Sequence, residues 1–156
     1  MRRQLLLLSV VIAVVMLVGC ATGRTTYHHA TVNSEHDGAM VSGYWPLALW
    51  RDRVMVIAVD GIQVDPSILP SASILVDPGI RNLTVWGNGF PGWEWEVKLK
   101  TTLVAGHAYK MRFERDEKLM TFWVEDVITH ETVSEKQTAD GNMNWGGNPF
   151  PLFPIR

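Results

Sequence analysis

One thiol and five imidazoles are the side chains best suited to covalent or acid–base chemistry in these 156 residues, and their settings differ sharply. The thiol, Cys20, closes the tetrapeptide Leu17-Val18-Gly19-Cys20 at the end of an apolar run over residues 5–18 that only Ser9 interrupts. Arg2 and Arg3 precede that run, and the chain turns polar at Thr22. A basic start, a short apolar core and a small residue before the cut define a secretory signal. With a cysteine directly after the small residue, the expected chemistry is lipidation: a diacylglycerol thioether on Cys20, and cleavage after Gly19 with Leu17, Val18 and Gly19 read by the peptidase. The new amino group of Cys20 is then acylated. A membrane span needs about 20 apolar residues, more than this run supplies. Each buried methylene adds about 0.8 kcal/mol, so two or three acyl chains make attachment effectively permanent.

The imidazoles point to less. His28, His29 and His36 lie in the polar stretch 21–40, without a rigid element, a cysteine or a paired carboxylate to complete a ligand set, so no metal site is expected there. His107 and Tyr109 share a strand face, with Asp126 placed on a neighbouring strand. A polar relay is one reading; a histidine at the rim of a core, beside a tyrosine whose hydroxyl meets backbone, is the commoner arrangement. Neither a Gly-x-Ser-x-Gly elbow nor a His-Glu-x-x-His pair occurs. Gly87-x-Gly89-x-x-Gly92 fits a dinucleotide pattern only formally, since it joins two strands and contains Pro91. The expectation is a protein without catalytic residues or a cofactor.

Seven tryptophans remain to be placed. Trp86, Phe90 and Trp93 flank one glycine-rich segment, where exposed rings would stack on sugar faces. Trp93 and Trp95 alternate with Glu94 and Glu96, however, and that pattern favours the core. The patch Tyr44-Trp45-Pro46-Leu47-Ala48-Leu49-Trp50 is read as packing against the domain rather than lying at a lipid interface. Trp145, Phe150 and Phe153 are interleaved with Pro149, Pro151 and Pro154 near the C-terminus, backbone chemistry that excludes a central strand. They are candidate contacts for a partner groove or a sheet edge.

The elements that must hold these residues read as strands. Residues 53–59 form a β-branched run ending at Asp60-Gly61, a hairpin signal. Residues 73–76 stop at Asp77-Pro78-Gly79, where proline and glycine each supply a turn dihedral. Residues 81–86 follow, then the segment 87–92 as a loop. Trp93, Trp95, Val97 and Leu99 alternate with Glu94, Glu96, Lys98 and Lys100, the period of a half-buried antiparallel strand. The period returns over 107–114 and 120–125 around a charged loop at 115–118, and a last short strand is expected over 131–135. No helical period of useful length follows Cys20. These elements predict an all-β domain, a small antiparallel β-sandwich behind an N-terminal signal helix.

Three stretches carry a resemblance: Val59-Asp60-Gly61, Val76-Asp77-Pro78-Gly79-Ile80-Arg81-Asn82-Leu83-Thr84-Val85, and Leu103-Val104-Ala105-Gly106-His107-Ala108-Tyr109. They resemble a recurrent group of bacterial lipoproteins and periplasmic proteins and, more distantly, PEGA-type surface-layer domains. The likeness covers residues 54–133 and implies a sandwich of transthyretin or prealbumin type with no established catalytic residue. Ile80 and Arg81 depart from it where relatives carry a basic residue and a histidine. Asp126-Val127-Ile128-Thr129-His130 departs from the usual threonine-glycine closing turn.

The expected organisation is a signal peptide over 1–19, a lipidated N-terminus and flexible tether over 20–42, a sandwich over 43–138 and a tail over 139–156. About 20 flexible residues reach roughly 25 Å, enough to lift a domain clear of lipid headgroups. Arg2 and Arg3 are the only charges in residues 1–19, so removing that segment takes the net charge from −2 to −4. That balance leaves no basic patch for nucleic acid. With the single cysteine lipidated, no disulfide within the mature chain is available, and packing alone must hold the domain. Ala21, in place of an aspartate, favours the outer membrane. The expected function is non-enzymatic: binding or scaffolding of another envelope protein, with glycan binding through the tryptophan-rich loop as the alternative.

Overall fold

The computed structural model describes residues 25–26, 31–32, 34–46, 51–64 and 73–143. Those residues are all-β, with no helix among them. Eleven strands follow in chain order: β1 (Thr25–Thr26), β2 (Ala39–Ser42), β3 (Arg53–Val59), β4 (Ile62–Gln63), β5 (Ser73–Val76), β6 (Gly79–Gly89), β7 (Trp93–Leu103), β8 (Ala108–Asp116), β9 (Leu119–Asp126), β10 (Gln137–Asp140) and β11 (Asn142–Met143). They form two sheets, ordered β1-β5-β2-β8-β9-β10 and β11-β7-β6-β3-β4. Pairing is antiparallel except between β1 and β5 and between β2 and β8.

Side-chain alternation explains the two layers, because residues two apart on a strand share a face. Val54, Val56 and Val59 of β3, Leu83 and Val85 of β6, and Trp95, Val97 and Leu99 of β7 supply one inner face. Val41, Val76, Met111, Met120, Phe122 and Val124 supply the other. Between Val56 and Ala58 the β3–β6 register slips by one residue. This bulge keeps Val56 and Val59 both inward although they are three apart, and it places Ile57 and Ala58 together towards the outer face.

Among the described residues the chain passes between the sheets five times, at β2–β3, β4–β5, β5–β6, β7–β8 and β10–β11. On one flank Tyr44 exchanges two backbone hydrogen bonds with Val54, of 2.7 and 2.8 Å, lacing the end of β2 to β3. A Cβ on Gly43 would collide with the Val54 carbonyl, so glycine permits that approach. On the other flank Thr132 bridges to Glu125 and Ser134 to Thr101, so residues 131–135 straddle both sheets. The short strand expected there is instead this strap, and the next ladder strand is β10.

Three boundaries move. The sheets take in residues read from sequence as tether, since β2 is paired on both sides and β1 is paired with β5. They also take in residues 139–143, read as tail, through β10 and β11. The expected loop 87–92 shrinks to the tip Phe90-Pro91-Gly92, because β6 and β7 stay in register from Gly79↔Leu103 to Gly89↔Trp93. Gly87 and Gly89 make room rather than turns. A Cβ on Gly87 would lie 3.1 Å from the Phe122 ring, and one on Gly89 would strike Asp52 and crowd Arg115 and Trp95.

Candidate functional site

A concavity among the described residues lies on the outer face of the five-stranded sheet. It has a volume of about 810 Å³ and is open to solvent. Ile57, Ala58, Thr84 and Trp86 line it together with Asp60, Gln63, Asn82, Glu94, Glu96, Lys98 and Asn142. The bulge brings Ile57 and Ala58 to this surface, and the β6–β7 register sets Trp86 opposite Glu96 and Thr84 opposite Lys98. Carboxylates, amides, a hydroxyl and an ammonium therefore lie beside the apolar Ile57, Ala58 and Trp86, a surface equipped for directional hydrogen bonding to a partner.

The sequence-selected aromatics do not converge on it. Trp86 points to the outer face but is only 5% exposed, so its indole offers no free stacking platform. Phe90 sits on the hairpin tip and is 68% exposed. Trp93 points inward, packs on the core and stacks on Trp95 with centroids 6.5 Å apart. Trp95 in turn donates its indole N–H to the Lys118 carbonyl at 2.7 Å. Strand parity separates Trp86 from Trp93, so the core reading of Trp93 and Trp95 holds and the single three-ring platform does not form. Leu17, Val18, Gly19, Cys20, Trp145, Phe150 and Phe153 lie outside the described residues.

His107, Tyr109 and Asp126 do come together. His107 Nδ1 lies 2.6 Å from Asp126 Oδ2, and the imidazole stacks on the Tyr109 ring at 6.2 Å. The Tyr109 hydroxyl accepts from the Val104 N–H at 2.8 Å, the backbone satisfaction expected of a rim tyrosine. Asp126 Oδ1 accepts the N–H groups of Ile128 and Thr129 at 2.7 and 3.0 Å. Burial alone would raise the Asp126 carboxyl, but the His107 contact, the two backbone donors and the nearby imidazole charge outweigh it and hold the group below the usual carboxylate range. Burial likewise pushes the Tyr109 phenol up. This aspartate thus organises the departing turn Asp126-Val127-Ile128-Thr129-His130, where His130 takes a positive φ of 60°.

Two arginines to which the sequence reading gave no positioning role fix the two ends. Arg81 donates to the Asp77 and Pro78 carbonyls at 2.9 and 3.0 Å and pairs with Asp60 at 3.0 Å. It joins the Asp60-Gly61 turn to the Asp77-Pro78-Gly79 corner. Desolvation opposes ionisation of Asp60, yet the Asn82 N–H and Arg81 prevail and lower it. Arg115 at the far end pairs with Asp52 at 2.6 Å, donates to the Phe90 and Glu117 carbonyls, and lies 5.2 Å from the Trp95 ring. The only sequence signal for either was a basic residue set beside a turn. Among the described residues no three His, Cys, Asp or Glu side chains gather as a metal site would require.

Comparison with protein-family models, with curated proteins and with solved structures finds no match to this chain.

Proposed function

We propose that this chain is a membrane-anchored bacterial envelope lipoprotein whose sandwich binds or scaffolds another envelope protein without catalysing a reaction. The anchor rests on Leu17-Val18-Gly19-Cys20 behind its basic, apolar leader. In this reading residues 1–19 are a signal helix removed on maturation, the lipid holds the protein to the outer membrane, and the sandwich is of the transthyretin type. The binding role is carried by one observation: the concave face around Trp86 offers clustered carboxylates, amides and a lysine on one sheet. Concave surfaces with a few placed polar groups are where recognition concentrates.

The test is site-specific photo-crosslinking in intact cells. Probes at Gln63 and Glu96 should capture one common envelope protein, whereas a probe at Glu114, on the opposite sheet, should not. Equal capture from all three positions, or none, rejects the concave face as the contact. Glycan binding stands second because carboxylates and amides around an indole also suit sugar hydroxyls. A blue shift or quench of tryptophan emission with peptidoglycan fragments, together with silent crosslinks at Gln63 and Glu96, would favour it.

A further inference from the structure

Three polar or charged side chains are buried among the described residues: Thr101, Asp126 and Arg53. Two of them are satisfied. The Thr101 hydroxyl donates to the Val133 carbonyl at 3.1 Å, and Asp126 meets His107 and two backbone N–H groups. Arg53 is the exception. It is 8% exposed, its Nε has no hydrogen-bond partner, and no carboxylate among the described residues pairs with it. Arg112 also has an unbonded Nε, but Glu125 meets its charge at 2.7 Å. A guanidinium stays ionised at every accessible pH, and a buried charge without a counter-ion lowers stability.

The local structure explains why Arg53 stands alone. It opens β3 beside inward-facing Val54, so strand parity turns it to the outer face of the five-stranded sheet, opposite Asn88. Asp52, its neighbour in sequence, is drawn away by Arg115 at 2.6 Å. The Asn88 amide is directed to the Trp93 carbonyl at 3.3 Å. Trp45 lies against the guanidinium, with Cζ 4.7 Å from the ring centroid. That contact offsets part of the lost hydration, but an indole ring brings no oxygen to the Nε donor.

The missing group follows from the donors. An arginine presents a planar fork of N–H groups, which fits an oxyanion holding two oxygens side by side. One buried guanidinium matches one negative charge, which selects a carboxylate over a doubly charged phosphate monoester. An exposure of 8% admits the end of a slender group rather than the face of a protein. We propose that Arg53, with Trp45 against it, binds the carboxylate of a ligand that enters by such an end. The site lies on β6's outer face two residues beyond Trp86, yet it requires neither a partner on the concave face nor a lipid on Cys20.

The test uses the full-length chain, labelled with ¹⁵N and held in a non-ionic detergent at pH 7. Its Arg53 Nε–H signal, assigned by its loss in Arg53→Lys, should move in a saturable way with sodium acetate. Sodium chloride at equal ionic strength and acetamide, the neutral counterpart of acetate, should leave it in place. A signal that stays still with acetate, or moves equally with acetamide, overturns the site. A stronger response to inorganic phosphate than to acetate overturns the choice of a carboxylate. Thermal midpoints add a second reading. In chloride, Arg53→Met should melt about 2–8 °C above the native chain, because an apolar side chain replaces an unpaired buried charge, and acetate should no longer stabilise it. A lower midpoint for Arg53→Met would mean that the free protein already satisfies this charge, and it overturns the site. Stabilisation by acetate that survives in Arg53→Met places the anion elsewhere and overturns it equally.

Discussion

Asp126 shows how one carboxylate shapes an end of the molecule. It is buried, it accepts two backbone N–H groups and it meets His107, and its carboxyl is held below the ordinary range. A carboxylate lowered in the folded state adds stability above the unfolded value, about 3.9, and that contribution fades as pH falls through the folded value. Asp126→Asn should therefore cost on the order of 1–3 kcal/mol at pH 7, through weakened hydrogen bonds at a buried site. The gap from the native protein should narrow on acidification to pH 3. Urea midpoints at the two pH values measure it, and a gap independent of pH would deny the carboxylate this role. The pairing of His107 with Asp126 was legible in the sequence only as a shared neighbourhood. Its turn-capping geometry was not, because the residues that close the turn lack the glycine that usually announces one.

At the scale of elements, the outcome separates what periodicity can reveal from what it cannot. The alternation of Trp93, Trp95, Val97 and Leu99 with charged neighbours located β7 and its inner face, and Asp60-Gly61 located a turn that takes positive φ at both residues. The glycines at 87 and 89 misled because glycine suits a turn and a crowded strand equally; the Phe122 ring across the core decided between them. Gly87→Val, a good strand residue by propensity, should accordingly destabilise by about 1–3 kcal/mol through overpacking, read as a lowered thermal midpoint. An unchanged or raised midpoint would mean that the strand, rather than the space, limits this position. Segment 131–135 misled for a different reason. A strap that bonds alternately to two sheets has the composition of a strand but the pairing of neither.

For the whole molecule, the boundaries are the main revision, since pairing partners lie far away in sequence and no local pattern encodes them. Ala39–Ser42 joins the centre of a sheet through residues 73–76 and 108–110. At the other limit, β10 and β11 belong to the domain. A chain ending at Ala139 should melt markedly lower than one ending at Met143, because it loses β11 and the Gly141 N–H bond to the Lys118 carbonyl. Circular dichroism melts of the two truncations compare them directly, and identical midpoints would show that β11 contributes nothing. Cys20→Ala should leave the precursor uncut and unlipidated while its sandwich still folds, checked by fractionation and intact mass. A variant that matures like the native chain would remove the anchor assignment. The concave face remained illegible because it depends on a bulge and on the parity of Trp86, both set by tertiary packing.

Five passages between sheets mean that neither layer is one continuous stretch of chain. Among the described residues the six-stranded layer is assembled from three separate pieces, with β3–β4 and β6–β7 of its partner threaded between them and β11 following the last. Peeling one layer open would drag the other with it, so the two have no route to independent loss of structure. Amide protons of β6 and β7 should then exchange with deuterium through the same global opening as those of β8 and β9, with matching free energies and matching response to denaturant.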